Sequence, residues 1–164
     1  MRRKHTTCGG FSLIELVIVV VIIGILAAIA IPRLSRGTAG AADSALAGDL
    51  AVLRKALDLY AAEHNGTYPA VSTFSAQLTQ YSDISGTTSA TKTSTCIYGP
   101  YVRAVPALKV GPTSYKGSTT IIDGSTATLG ATAGAWFYTA STGEIKANLT
   151  NTYVDAAGTA YNTY

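Results

Sequence analysis

Histidine, cysteine and acidic side chains are scarce in this chain of 164 residues, and each scarcity closes off a chemistry. Two histidines occur, His5 and His64, and two cysteines, Cys8 and Cys96. His5 and Cys8 stand ahead of Gly9-Gly10, so one of each remains beyond that point. A facial metal site lacks its second histidine, and there is no G-x-S-x-G and no Gly-rich phosphate loop opening a helix. No C-x-x-C-H occurs, which excludes covalent haem of that type. Asp123, Glu144 and Asp155 are far apart and lack the D-x-D-x-D spacing of a calcium loop. The expectation is a non-enzyme with no cofactor and no metal. Composition leaves one dyad open, His64 with Cys96. His64, however, falls at a helix C-terminus, where a surface imidazole meets the helix dipole. With Cys8 lost, Cys96 has no intrachain partner. It reads as a small buried apolar residue, with an intermolecular bridge as the other option.

Net charge is also missing once the N-terminus is set aside. Without Arg2, Arg3 and Lys4 the 12 basic side chains fall to 9, equal to the 9 acids. A neutral balance argues against nucleic acid as a partner. It suits a subunit that packs against copies of itself.

What the chain does have is one long greasy run. Every residue from Leu16 to Ile31 is apolar or glycine, and counting from Phe11 gives about 21 residues, enough to span a hydrocarbon core. The basic leader is too short, and the run too long, for an ordinary secretory signal. The basic residues favour a cytoplasmic leader, with the bulk of the chain on the far side. One carboxylate, Glu15, sits inside the run. An acid there costs ~2.5–3.5 kcal/mol or more and asks for a named partner. If the chain is cut after Gly10, the new α-amine of Phe11 is the nearest cation, from the same subunit or from a neighbour. Such a pair sets registry more than it adds stability. Gly24, Ala27, Ala28 and Ala30 let helices approach closely.

Gly10-Phe11-Ser12-Leu13-Ile14-Glu15-Leu16, followed by Ile22-Ile23-Gly24-Ile25-Leu26-Ala27-Ala28-Ile29-Ala30-Ile31-Pro32, closely resembles the class III signal of type IV pilins and type II secretion pseudopilins. The resemblance implies cleavage after Gly10 by a prepilin peptidase and N-methylation of Phe11. It also implies a Glu15 contact with the N-terminus of an adjacent subunit. A homopolymer would form through the N-terminal helices, driven by an assembly ATPase acting through an inner-membrane platform protein. The subunit would wait in the inner membrane and end in an extracellular pilus or a periplasmic pseudopilus. A major pilin leads. The alternatives are a major pseudopilin of a type II secretion system and a minor pilin acting as tip adhesin or DNA receptor. The family's usual C-terminal disulfide loop has no counterpart here.

Beyond the span the expected fold is α+β and pilin-like. Residues 1–10 form the leader and 11–65 one long helix, membrane-spanning over 11–31. Residues 66–164 form a globular domain with an αβ-loop and an antiparallel sheet of about four strands. Pro32 should kink the helix and loosen it on assembly. Leu46, Leu50, Leu53, Leu57 and Tyr60 step by four and three and form one apolar stripe, opposite Asp43, Asp49, Arg54, Lys55 and Asp58. Asn65-Gly66 stops the helix, with Pro69 beyond. A short helix is expected within 70–80, capped by Ser72, with Phe74, Leu78 and Tyr81 on one face. Residues 85–95 read as a loop.

Strand-like stretches follow at 96–102, 107–110 and 119–122, the last turning at Asp123-Gly124 into 126–129. The firmest hairpin pairs 135–139 with 144–148 around Ser141-Thr142-Gly143. The polar tail, 151–164, packs as an edge or stays loose. Gly99-Pro100-Tyr101-Val102 resembles a segment of major pseudopilins, and Trp136-Phe137-Tyr138 with Thr142-Gly143-Glu144-Ile145 resembles the terminal hairpin of pseudopilin-like pilins. The ten tyrosines suit a small core and subunit contacts. Asn65-Gly66-Thr67 and Asn148-Leu149-Thr150 match a glycosylation pattern that carries little weight in a prokaryote.

Overall fold

The computed structural model describes residues 11–164, except for the side chains of 31–37. The leader, Gly10 and the side chain of Pro32 lie outside the described residues. The chain divides into two units between Thr38 and Ala39, and helix α1 (Leu13–Glu63) contributes to both.

In the first unit every residue of α1 from Leu16 to Ala30 is apolar or glycine, and the window Leu13–Ala30 is long and apolar enough to cross a membrane. The large apolar side chains of that window, from Leu13 to Ile29, are exposed, because no second element of the described chain covers them.

The second unit is built on the amphipathic part of α1. Leu46, Leu50, Leu53, Leu57 and Tyr60 are buried, as their spacing predicts. The helix ends when Asn65 turns left-handed (φ 55°) and the Gly66 amide bonds back to the Ala61 carbonyl at 2.7 Å. That six-to-one bond closes the last turn on a carbonyl that also accepts from the His64 amide at 3.2 Å.

A 3-10 turn (Val71–Thr73) leads into α2 (Phe74–Thr79), whose Phe74 and Leu78 are buried. Thr73, not Ser72, holds the cap position, and its side chain makes no capping bond. β1 (Tyr81–Ser82) and β2 (Thr88–Ser89) form a small antiparallel ribbon, so the expected loop carries a short pairing.

The main sheet has three strands in the order β3 (Ile121–Asp123), β4 (Trp136–Thr139), β5 (Glu144–Ala147). β4 and β5 are the expected hairpin, with Trp136 opposite Ala147 and Tyr138 opposite Ile145. These four residues point into the core shared with α1. Gly143 makes the turn at φ 71°, and a Cβ there would sit 2.5 Å from the Tyr68 ring.

The sheet corrects the sequence reading in two ways. It is mixed rather than antiparallel, because β3 runs parallel to β4. It has three strands rather than about four. Asp123-Gly124 does not open a hairpin. Gly124 extends the ladder through its amide to the Tyr138 carbonyl, and the next dozen residues form the crossover that parallel pairing requires. Gly124 starts a turn closed by the Ala127 amide on the Asp123 carbonyl, and a Cβ there would lie 2.5 Å from Thr139 Oγ1, so the glycine permits close approach to β4. Asn148 straps the crossover. It is fully buried, its Nδ2 donates to the Thr132 and Gly134 carbonyls, and its Oδ1 accepts from the Gly130 amide. Burial of this kind leaves no acceptor for a sugar at Asn148.

Residues 96–102 and 107–110 are also not strands. Val102, Val105, Leu108 and Val110 enter the core from irregular chain. Tyr98 makes one bridge with Ser82, and then Pro100, with no amide hydrogen, breaks any ladder. The tail packs against the domain. Tyr161 Oη donates to Asp43 Oδ1 at 2.7 Å, and Arg54 donates to the carbonyls of Ile145 and Tyr164.

Candidate processing and assembly site

Phe11 is the first described residue and is 75% exposed. The Ser12 carbonyl accepts from the amides of Glu15 (3.1 Å) and Leu16 (3.2 Å), which starts α1. Glu15 therefore stands in the first helical turn, exposed among apolar neighbours. It is the one ionisable side chain among those described in residues 11–38. Among the described side chains of that span no cation faces it, so it asks for a partner such as an α-amine. Gly24 leaves the helix surface open, since a Cβ there would meet nothing within 4 Å. Of the expected site residues the structure describes Phe11 and Glu15. Gly10 and the Pro32 side chain fall outside the described residues.

A second exposed face lies further along α1. Val52 and Leu59, seven residues apart, are exposed on the side away from the core. Ala41, Ser44, Ala47, Gly48 and Ala51 are exposed as well, so among the described residues of this unit no charged side chain of α1 is exposed before Arg54. The heptad step from Val52 to Leu59 was the available signal, hidden by the stronger stripe opposite.

His64 departs from expectation. It is buried rather than on the surface. Its ring stacks on Tyr60, Nδ1 donates to the Tyr60 carbonyl at 2.8 Å, and Nε2 meets the Ser82 hydroxyl at 3.1 Å. Its role is to clamp the segment around Ser82 onto the end of α1. Cys96 is buried as expected, its Sγ facing the Thr87 carbonyl at 3.7 Å.

The three acids weighed for calcium are separately engaged. Asp123 accepts from the Ser125 amide and hydroxyl, Asp155 from Tyr164 and from the amides of Ala157 and Thr159, and Glu144 pairs with Lys146 at 2.8 Å. The Ser125 hydroxyl holds the Asp123 carboxyl below the usual carboxylate range, and Tyr164 does the same for Asp155. Among the described residues no three His, Cys, Asp or Glu side chains are grouped to hold a metal ion.

Residues 6–31 match the family model of the prokaryotic N-terminal methylation motif. The chain therefore carries the class III signal of type IV pilin-like proteins, with its prepilin leader, methylation motif and apolar N-terminal helix. No curated protein and no solved structure matches the chain.

Proposed function

We propose that the chain is a major pilin, a structural subunit of a type IV pilus or pilus-like filament. A prepilin peptidase cuts after Gly10 and Phe11 is N-methylated. The subunit is held in the inner membrane by the apolar part of α1 until it polymerises. Its N-terminal helices then pack against those of other copies, with an assembly ATPase and a platform protein supplying the work.

The carrying observation is the lone Glu15 on an otherwise apolar surface, four residues past Phe11 and inside a matched methylation motif. Lipid and a helical bundle are equally apolar, so hydrophobic burial gives assembly no direction. A charge that must meet an amine does. The uncharged face through Val52 supports the same reading, because it offers the second unit a surface for another copy.

Gly99-Pro100-Tyr101-Val102 supports a second reading, the major pseudopilin of a type II secretion system. The separate engagement of Asp123, Glu144 and Asp155 favours the pilus over a calcium-bearing pseudopilin. The test is the mass of the mature subunit together with the Glu15→Ala variant. A mature chain beginning at N-methyl Phe11, and a variant that inserts without polymerising, are expected. Abundant filaments from the variant would falsify the registry role. A retraction ATPase gene beside this one marks the pilus, and a secretin gene marks the secretion system.

A further inference from the structure

We propose that the cavity between α1, the β4–β5 turn and the tail binds an uncharged polyhydroxylated ligand, one sugar unit in size. The proposal goes beyond the filament reading and concerns the single subunit, so it stands or falls without polymerisation.

The cavity lies wholly within the second unit and measures about 460 Å³, inside the range of small-molecule sites. α1 contributes Arg54 and Asp58, and the hairpin Glu144 and Lys146. Tyr68 comes from the segment after α1, and Asn162 from the tail.

The fold leaves hydrogen-bonding capacity unused here. An arginine and an acid four residues apart on one helix are placed to pair. Arg54 and Asp58 do not. Arg54 Nη2 donates instead to the Ile145 carbonyl at 3.2 Å and to the Tyr164 carbonyl. Those bonds hold the guanidinium between β5 and the tail, while Nε and Nη1 keep their donors. Among the described residues, the Asp58 carboxylate and the Tyr68 hydroxyl have no hydrogen-bond or ion-pair partner. Asn162 Nδ2 donates to Asn151 Oδ1 at 2.7 Å, but Asn162 Oδ1 is buried without a partner. A buried acceptor left in this state is a cost that the described chain alone does not explain.

The charges select the ligand. Two bases and two acids line the cavity, and Glu144 and Lys146 already pair at 2.8 Å. An anion would meet Asp58 and Glu144, and a cation would meet Arg54 and Lys146. A sugar ring avoids both conflicts. One hydroxyl donates to Asp58 while another accepts from Arg54, and bonds to ionised groups are the strong ones. The Tyr68 ring offers apolar surface to the carbon face of the same ligand.

The test is saturation-transfer NMR on the full chain in phosphatidylcholine–phosphatidylglycerol nanodiscs. The probes are D-glucose, D-galactose and D-mannose, each free and as its methyl glycoside. Transfer to at least one sugar is expected. Binding of the free form alone marks a free saccharide as the ligand, and binding of the methyl glycoside marks a unit of a glycan chain. Asp58→Ala should weaken binding about tenfold or more, the factor for a hydrogen bond to a charged group, and Tyr68→Phe about fivefold. Asp58 is exposed and unpaired, so its replacement should leave thermal unfolding unchanged, and its loss of binding reports the site rather than the fold. Lys92→Ala, outside the cavity, should bind as wild type. Absence of transfer to every sugar would overturn the proposal. So would unchanged affinity in Asp58→Ala, or binding of glycine betaine or inorganic phosphate in place of the sugars.

Discussion

The imidazole of His64 lies flat on the ring of Tyr60, one helical turn earlier, with centroids 3.7 Å apart and planes 3° from parallel. Both side chains are buried, and the histidine joins the end of α1 to Ser82. Removing it breaks the stack and takes one partner from the buried Ser82 hydroxyl. His64→Ala should destabilise the domain by about 2–3 kcal/mol. The urea midpoint of the detergent-solubilised chain measures this, and a shift no larger than that of a surface substitution would contradict the clamp.

Val52 and Leu59 test the outer face of α1. Because both are exposed, Val52→Asp and Leu59→Lys should leave thermal unfolding within roughly 0.5 kcal/mol of wild type. Filament yield by electron microscopy should nevertheless fall. Undiminished filaments from the double variant would remove this face from the assembly surface.

Gly143 tests the hairpin. Its backbone is left-handed, and an added Cβ would press on the Tyr68 ring. Gly143→Ala should cost about 2 kcal/mol or more from backbone handedness and crowding together. A drop in melting temperature of several degrees is expected from so small a domain. Gly158→Ala shares the positive φ but meets nothing within 4 Å, so it should cost less.

Alkaline pH should loosen the tail. Burial, and then the bond to Asp43, raise the Tyr161 phenol above its ordinary value, and the bond to Asp155 raises Tyr164 to about 12. An unfolded tyrosine ionises near 10, so between about 10 and 12 the unfolded chain binds fewer protons than the folded one. Stability is therefore full below about pH 10 and declines above it. Asp83, Asp123 and Asp155 act in the opposite sense, being held below their ordinary values by hydrogen bonds. Their contribution is present above the ordinary carboxylate range and is lost on strong acidification. Tyr161→Phe should flatten the alkaline limb of a stability–pH curve, and an unchanged slope would refute its part.

Elements written in local periodicity were legible in the sequence. The Leu46-to-Tyr60 stripe, the stop at Asn65-Gly66 and the turn around Gly143 each lie within a few residues of what they organise. The same stripe, extended four residues, reaches His64. That step was the unread sign of its burial, overridden by the preference of histidine for helix ends. β3 was misread because its partner lies across a crossover and no nearby residue specifies parallel pairing. Val102, Val105, Leu108 and Val110 carry strand-like composition, but they express burial rather than extended pairing. In the candidate site, the matched methylation motif was legible in residues 6–31, and the roles of Phe11 and Glu15 within it are proposals.

The strap formed by Asn148 fixes how the crossover can change over evolutionary time. Three carbonyl and amide groups of that loop, at Gly130, Thr132 and Gly134, close on one side chain, so a residue added or lost between them would miss its mark. The stretch 90–95, exposed throughout, has no such tether to the core. Homologues of this chain should therefore differ in length there, and keep the path from β3 to β4 at constant length.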